Sequence, residues 1–201
     1  MIVAFIIPTG IGCEMGGHAG DATPAARLIS GVCDELIVHP NVVNASDINE
    51  MTPNMLYVEG SMLDRLLEGS IGLKRVRSNR ILVAVNSPIQ PETVNAVSAA
   101  RATLGVQAEI MELKSKLRLV GRMEGGRATG DVSGWEDLVE QARGRDFDAL
   151  AVASEIEVSA EVSMTYLRNG GVNPWGGVEA VASKLISEAL GKPVAHAPVQ
   201  F

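Results

Sequence analysis

The opening residues constrain the fold more than any other stretch of the chain. Ile2-Val3-Ala4-Phe5-Ile6-Ile7-Pro8 contains no polar side chain and is closed by Thr9-Gly10. A strand with one wet face alternates apolar and polar residues. An unbroken apolar run is the pattern of a strand covered on both faces, which is typical of parallel sheets buried under helices. The run is far short of the ~20 residues a membrane span needs, and no basic segment precedes it. It therefore reads as a first strand rather than a leader.

The rest of the chain repeats the theme. Thr23-Pro24 reads as a helix N-cap with Pro at the first helical position, and the helix continues through Ala25, Leu28, Ile29 and Val32. Leu36–Val38 is the next strand, stopped by His39-Pro40-Asn41. Residues 42–59 read as an ordered polar loop with short helical turns, followed by a short helix over Ser61–Glu68. A second unit alternates a strand (Ile81–Val85), a helix (Pro91–Leu104) and a strand (Val106–Leu113). After the basic, glycine-rich stretch Lys114–Asp131, which shows no clear period, come a helix (Trp135–Arg143), a strand (Ala149–Ala153) and a helix (Ser159–Leu167). Asn173-Pro174 precedes a last helix ending at Leu190-Gly191, and Pro193–Pro198 is a final strand that can lie at an edge.

Strands separated by helices require crossover connections. The expectation is one α/β domain over 1–201, a three-layer, mostly parallel sheet with helices on both faces. Its hydrophobic content of 46% excludes disorder, while aromatics at 3% leave the core to Val, Ile, Leu, Ala and Met.

Charge and cysteine usage narrow the function. The net charge of −7 disfavours a nucleic-acid surface, although residues 71–145 carry twelve bases against eight acids. That local excess is either an anion site or a solvated basic face. Cys13 and Cys33 make no disulfide framework and point to a reducing cytoplasm. The expected partner is a small molecule, with neither nucleic acid nor membrane, and a homo-oligomer is compatible with the sequence.

Open parallel sheets bind ligands outside the carboxyl ends of their strands. The polar residues just after strands are His18 and Asp21, His39 and Asn41, Asn86 and Ser87, and Glu155, with His196 inside the last strand. The densest feature is Gly10–Gly20, in which Gly10, Gly12, Gly16, Gly17 and Gly20 are five glycines in eleven residues. Such a loop lets backbone N–H groups face an anion at a helix start, or it simply makes a tight turn packed against its neighbours. Its Gly-x-Gly-x-x-x-Gly spacing is one residue too long for a dinucleotide fingerprint, and His39-Pro40-Asn41 stands where an acid should meet the ribose. No Gly-Lys-Ser/Thr follows. Nicotinamide and P-loop nucleotides are thus disfavoured, and the cofactor stays unassigned.

His39 is a candidate general acid or base together with Asp47, and Asn41 and Asn44 offer hydrogen bonds around them. The plainer reading makes Asn and Asp turn formers and His39 a structural residue. A metal site drawn from His18, Asp21, His39, Asp47 and Glu59 lacks any recognised ligand spacing, so none is assigned. Cys13 at a helix start is a weak nucleophile candidate, and Cys33 reads as core. Lys114, Lys116 and Arg118 fall on one face of an extended stretch, with Arg122 and Arg127 beyond. They suit a phosphate or carboxylate, or equally a protected edge strand. In Asn169–Gly177, the glycines Gly176 and Gly177 either pack a helix start against the sheet or face an anion.

Five blocks carry a family resemblance: Pro8–Gly12, Gly16–Asp21, His39–Asn44, Tyr57–Ser61 and Asn173–Ala180. Together they resemble the uncharacterised bacterial and cyanobacterial family catalogued as domain of unknown function 3326. The resemblance spans nearly the whole chain, and the members of that family are longer. It implies a shared site without an established activity, substrate or catalytic residue. The function expected is a cytoplasmic small-molecule enzyme acting on a phosphorylated or carboxylated metabolite held at the glycine-rich loop. A non-catalytic metabolite-binding module and a structural subunit are the alternatives.

Overall fold

The computed structural model describes residues 1–7, 22–43, 45–76 and 78–198. Helices and several mostly parallel sheets make it an α/β protein. The strands expected to share one sheet divide instead between two, and a third sheet forms from other segments.

The first sheet is parallel and three-stranded, in the order β1 (Ile2–Ala4), β2 (Glu35–Val38), β3 (Met55–Tyr57). β1 departs from expectation. It is an edge strand of three residues, and Ile2 is 66% exposed. Only the odd positions Val3, Phe5 and Ile7 pack on the core of Ala26, Leu36, Val38, Val42, Val43 and Met55. The apolar run therefore behaves as a one-sided strand, because period-2 geometry sends alternate side chains to opposite faces. β3 falls in the stretch expected to be loop; three residues among polar neighbours leave no visible period. The 3-10 turn Ala45–Glu50 agrees with the short helical turns expected there.

Helix α1 (Thr23–Ser30) begins one residue earlier than expected, so Ala22 and not Thr23 holds the capping position. Helix α2 (Gly60–Leu67) is capped by Glu59, whose carboxylate accepts the Ser61 N–H at 2.9 Å and the Met62 N–H at 3.3 Å. An acid there satisfies otherwise orphaned donors and meets the positive end of the helix.

The second sheet carries the larger core. All its strands are parallel, in the order β10 (Val194–Pro198), β8 (Ala149–Ser154), β4 (Arg80–Asn86), β5 (Gln107–Leu113). β10 lies at an edge, as the sequence allowed. Leu82, Ala84, Met111, Leu113, Leu150, Val152 and Val194 join a cluster with Leu138, Val139 and Ala142 of α4 (Trp135–Ala142) and Val178, Ala182 and Ile186 of α6 (Gly176–Leu190). The alternate residues Ile81, Val83, Val85, Ile110, Ala151 and Ala153 cluster with Val97 of α3 (Pro91–Leu104). Apolar residues at both parities explain why these strands lack alternation.

The third sheet corrects the reading of the basic stretch. β6 (Arg118–Glu124) and β7 (Arg127–Ser133) form an antiparallel hairpin, and β9 (Ile156–Val158) pairs with β6 in parallel. Gly125 and Gly126 make the two-residue turn at φ of 57° and 79°. Positive φ at both positions is what a twisted two-residue hairpin turn demands. α6 lies so close to this hairpin that a Cβ at Gly177 would stand 2.3 Å from the Ala128 carbonyl. The packing alternative for Gly177 is the one the fold uses. Between the hairpin and α6, β9 leads into α5 (Ala160–Asn169).

Candidate active site

In the second sheet the chain goes from β4 to β5 on one side, then places β8 on the other side of β4. The strand order reverses between β4 and β8. At such a switch point the connections leave in opposite directions and open a crevice beyond the strand ends. A cavity of about 150 Å³ lies there, lined by Val85, Asn86 and Ser87 from the end of β4, Ala153, Ser154 and Glu155 from the end of β8, the segment before α3, and Lys116. A volume of that order suits a benzene-sized group.

Ser154 leads from this cavity into a buried relay. Its Oγ lies 2.9 Å from Nε2 of His196 on β10. Nδ1 of the same ring lies 3.0 Å from Oε1 of Glu179 on α6. In the β8–β10 register His196 pairs with Val152, so Ser154 and His196 share the sheet face that α6 covers. Glu179 follows the core residue Val178 in the first turn of α6. Ser154 is 3% exposed, and the side chains of His196 and Glu179 are 1% and 30% exposed. A carboxylate accepting the Nδ1 proton leaves Nε2 unprotonated toward the hydroxyl. That is the tautomer a general base needs.

The sequence placed His196 in the final strand but did not pair it, and it passed over Ser154 and Glu179. A signal was present in the histidine itself, the one polar side chain between Ala195 and Ala197 in a small apolar strand. Its partners lie 42 and 17 positions away, beyond any local pattern.

Asn86 lines the cavity, as the strand-end rule requires, but its amide is engaged. It donates Nδ2 to the Leu117 carbonyl and accepts the Leu117 N–H, both at 2.8 Å. Arg118 holds Glu157 through contacts of 2.6, 3.0 and 3.1 Å. Those bonds keep the Glu157 carboxyl below its ordinary range. Arg122 pairs with Glu124 on its own strand and with Asp131 across the hairpin. Both arginines thus sit in surface ion pairs of the third sheet, leaving Lys116 as the basic residue on the cavity wall.

His39 and Asn41 stand at the end of β2, in the first sheet, whereas Asn86 ends a strand of the second. Among the described residues no shared sheet gathers them. His39 is 5% exposed, with Nε2 receiving the Ile7 N–H and Nδ1 the Asn41 N–H, each at 3.2 Å. A neutral imidazole has one lone pair to offer, so only one of the two contacts is a full hydrogen bond. Asn41 Nδ2 donates to the Ile7 carbonyl at 3.0 Å. These side chains carry the β1–β2 ladder onward after the Phe5 N–H bonds Ile37. Burial lowers the His39 pKa, with the Asp64 carboxylate acting in the opposite sense. Asp47 lies in the 3-10 turn. Gly10, Gly12, Gly16, Gly17, His18, Asp21, Cys13 and Asn44 lie outside the described residues. Among the described residues no group of His, Cys, Asp and Glu is arranged to hold a metal ion. Nor is any helix among them long and apolar enough to cross a membrane.

Residues 2–200 match the model of a family described as a protein of unknown function, DUF3326. The chain is 37% identical over 204 residues to an uncharacterised lipoprotein of Synechococcus sp., covering 96% of this chain and 57% of that protein. It thus spans little more than half the length of this curated relative. No solved structure gives a significant match.

Proposed function

The chain belongs to the DUF3326 family of proteins of unknown function, and from the cavity at the switch point we propose that it is a small-molecule enzyme acting on an anionic metabolite. The observation that carries this reading is the Ser154–His196–Glu179 relay, which starts at a residue lining the cavity and runs through the buried ring of His196 to a half-buried carboxylate. Three polar groups aligned for proton transfer beside a crevice are the arrangement of a general acid–base site. Lys116 supplies the cation for a carboxylate or phosphate.

In this reading the second sheet is the middle of three layers, with helices on both faces. The division of its side chains between the α4–α6 cluster and the α3 cluster supports that arrangement. The glycine-rich segment from Gly10 to Gly20 is a second place for the anion. In support, His39 and Asn41 hold Ile7 at its approach, and α1 follows it with no acid in its first turn. We assign the protein to the cytoplasm on its cysteine usage; cell fractionation distinguishes this from attachment to a membrane, as the lipoprotein relative suggests.

A thermal-shift screen with small carboxylates, sugar phosphates and inorganic phosphate tests the reading. A ligand at 100 times its Kd adds about 2.7 kcal/mol to stability. The shift should vanish in Lys116→Ala. Absence of a response to every anion class would overturn the anionic substrate.

A further inference from the structure

We propose that Ser154 is a nucleophile, so that the site hydrolyses small esters through a covalent acyl-enzyme, with His196 as general base and Glu179 as the group that orients it. The proposal rests on the cavity as the place where substrate binds, and it names the reaction class carried out there. Three observations converge. Ser154 is one of the residues lining the cavity, its hydroxyl has an imidazole nitrogen as hydrogen-bond partner at 2.9 Å, and the other nitrogen of that ring meets a carboxylate at 3.0 Å. Serine alone is a weak nucleophile at neutral pH. It needs a base within hydrogen-bond reach and a third group to hold the base in the right tautomer. The chain order is Ser154, Glu179, His196, without a glycine-flanked serine elbow. The roles are therefore recognised by geometry.

The step balances as follows. Ser154 Oγ attacks the ester carbonyl carbon while His196 Nε2 takes the hydroxyl proton. The bond from that carbon to the leaving oxygen breaks, and His196 gives its proton to the departing alcohol. Water then attacks the acyl-enzyme, His196 takes a proton from the water, and the Ser154 oxygen leaves the acyl carbon and recovers that proton. Ester and water become acid and alcohol, with no redox partner. The cavity of about 150 Å³ limits the acyl portion to a short chain or a single ring. Lys116 on its wall favours an acyl group that ends in a carboxylate.

The test is treatment of the whole chain with a short-chain fluorophosphonate between about pH 6 and 9, read by intact mass and peptide mapping. One adduct is expected, on the peptide containing Ser154. It should be absent in Ser154→Ala and form at least about 10²-fold more slowly in His196→Gln. If Ser154→Ala does not fold, Ser154→Cys with iodoacetamide replaces it, and alkylation should slow when His196→Gln is added. No adduct at Ser154, or a rate indifferent to His196→Gln, overturns the nucleophile. Anion-induced thermal shifts with no adduct would leave the binding site and remove the nucleophile. An adduct with no anion response would do the reverse.

Discussion

Glu179 and His196 meet at 3.0 Å between Oε1 and Nδ1, although one stands in the first turn of α6 and the other on the edge strand β10. The contact makes the orientation of a buried ring depend on how the helix sits over the sheet. In Glu179→Gln the amide oxygen can still accept from Nδ1, but no negative charge remains to stabilise the imidazolium. Fluorophosphonate labelling of Ser154 should slow by about 10²-fold while the circular dichroism spectrum is kept. A labelling rate equal to wild type would remove Glu179 from the relay.

Asn86 is expected to act on stability more than on chemistry. Its two 2.8 Å bonds close the gap between the end of β4 and the segment entering β6. Asn86→Ala leaves the Leu117 N–H and carbonyl without their partner, at a cost of about 1–3 kcal/mol. Urea denaturation measures this. An unchanged midpoint would mean that water replaces the amide fully.

Two glycines offer a matched comparison. Gly177→Ala forces a methyl group against the backbone of Ala128 and Thr129, at 2.3 and 2.6 Å. Backbone cannot move aside as a side chain does, so the cost should be about 1–3 kcal/mol or more. At Gly60, in the first turn of α2, nothing lies within 4 Å of the same methyl. Gly60→Ala should stabilise by about 0.4–1 kcal/mol, through the unfolded chain. Equal effects at both sites would contradict the close approach of α6 to the hairpin.

His39 predicts a pH dependence. Burial lowers its folded pKa beneath the unfolded value of about 6.5. Between the two values the unfolded chain binds more protons than the folded one. The His39 contribution is therefore fully present above about pH 6.5 and is lost as pH falls through the folded pKa. Urea midpoints followed downward from pH 7.5 should decline, and His39→Asn should flatten part of that decline. A variant with the wild-type slope would place the titration elsewhere.

Much of the element order was legible in the sequence, because local chemistry sets it. Pro91 at the start of α3, and Gly105 and Gly191 at left-handed helix ends, mark boundaries through backbone sterics that need no distant partner. The rule that ligands sit beyond parallel strand ends also led to Asn86, Ser87 and Glu155 on the cavity wall. The hairpin of β6 and β7 was hidden because Arg118, Gly121, Arg122 and Gly130 obscure its alternation. The Gly125-Gly126 pair was the signal available.

What the sequence by itself determined was the helices and most strands of the two parallel sheets, since periodicity, caps and turn residues act within a few positions. Only the tertiary structure decided how strands share sheets and which polar groups meet. It put β1 at the edge of a separate sheet and Asn86 and His39 in different ones. It also spent Arg118 and Arg122 on neighbouring acids. Ser154, Glu179 and His196 come together because β10 pairs with β8 and α6 packs across both strands. Pairing of that kind is chosen by the burial of whole faces, summed over many residues. No spacing along the chain records it.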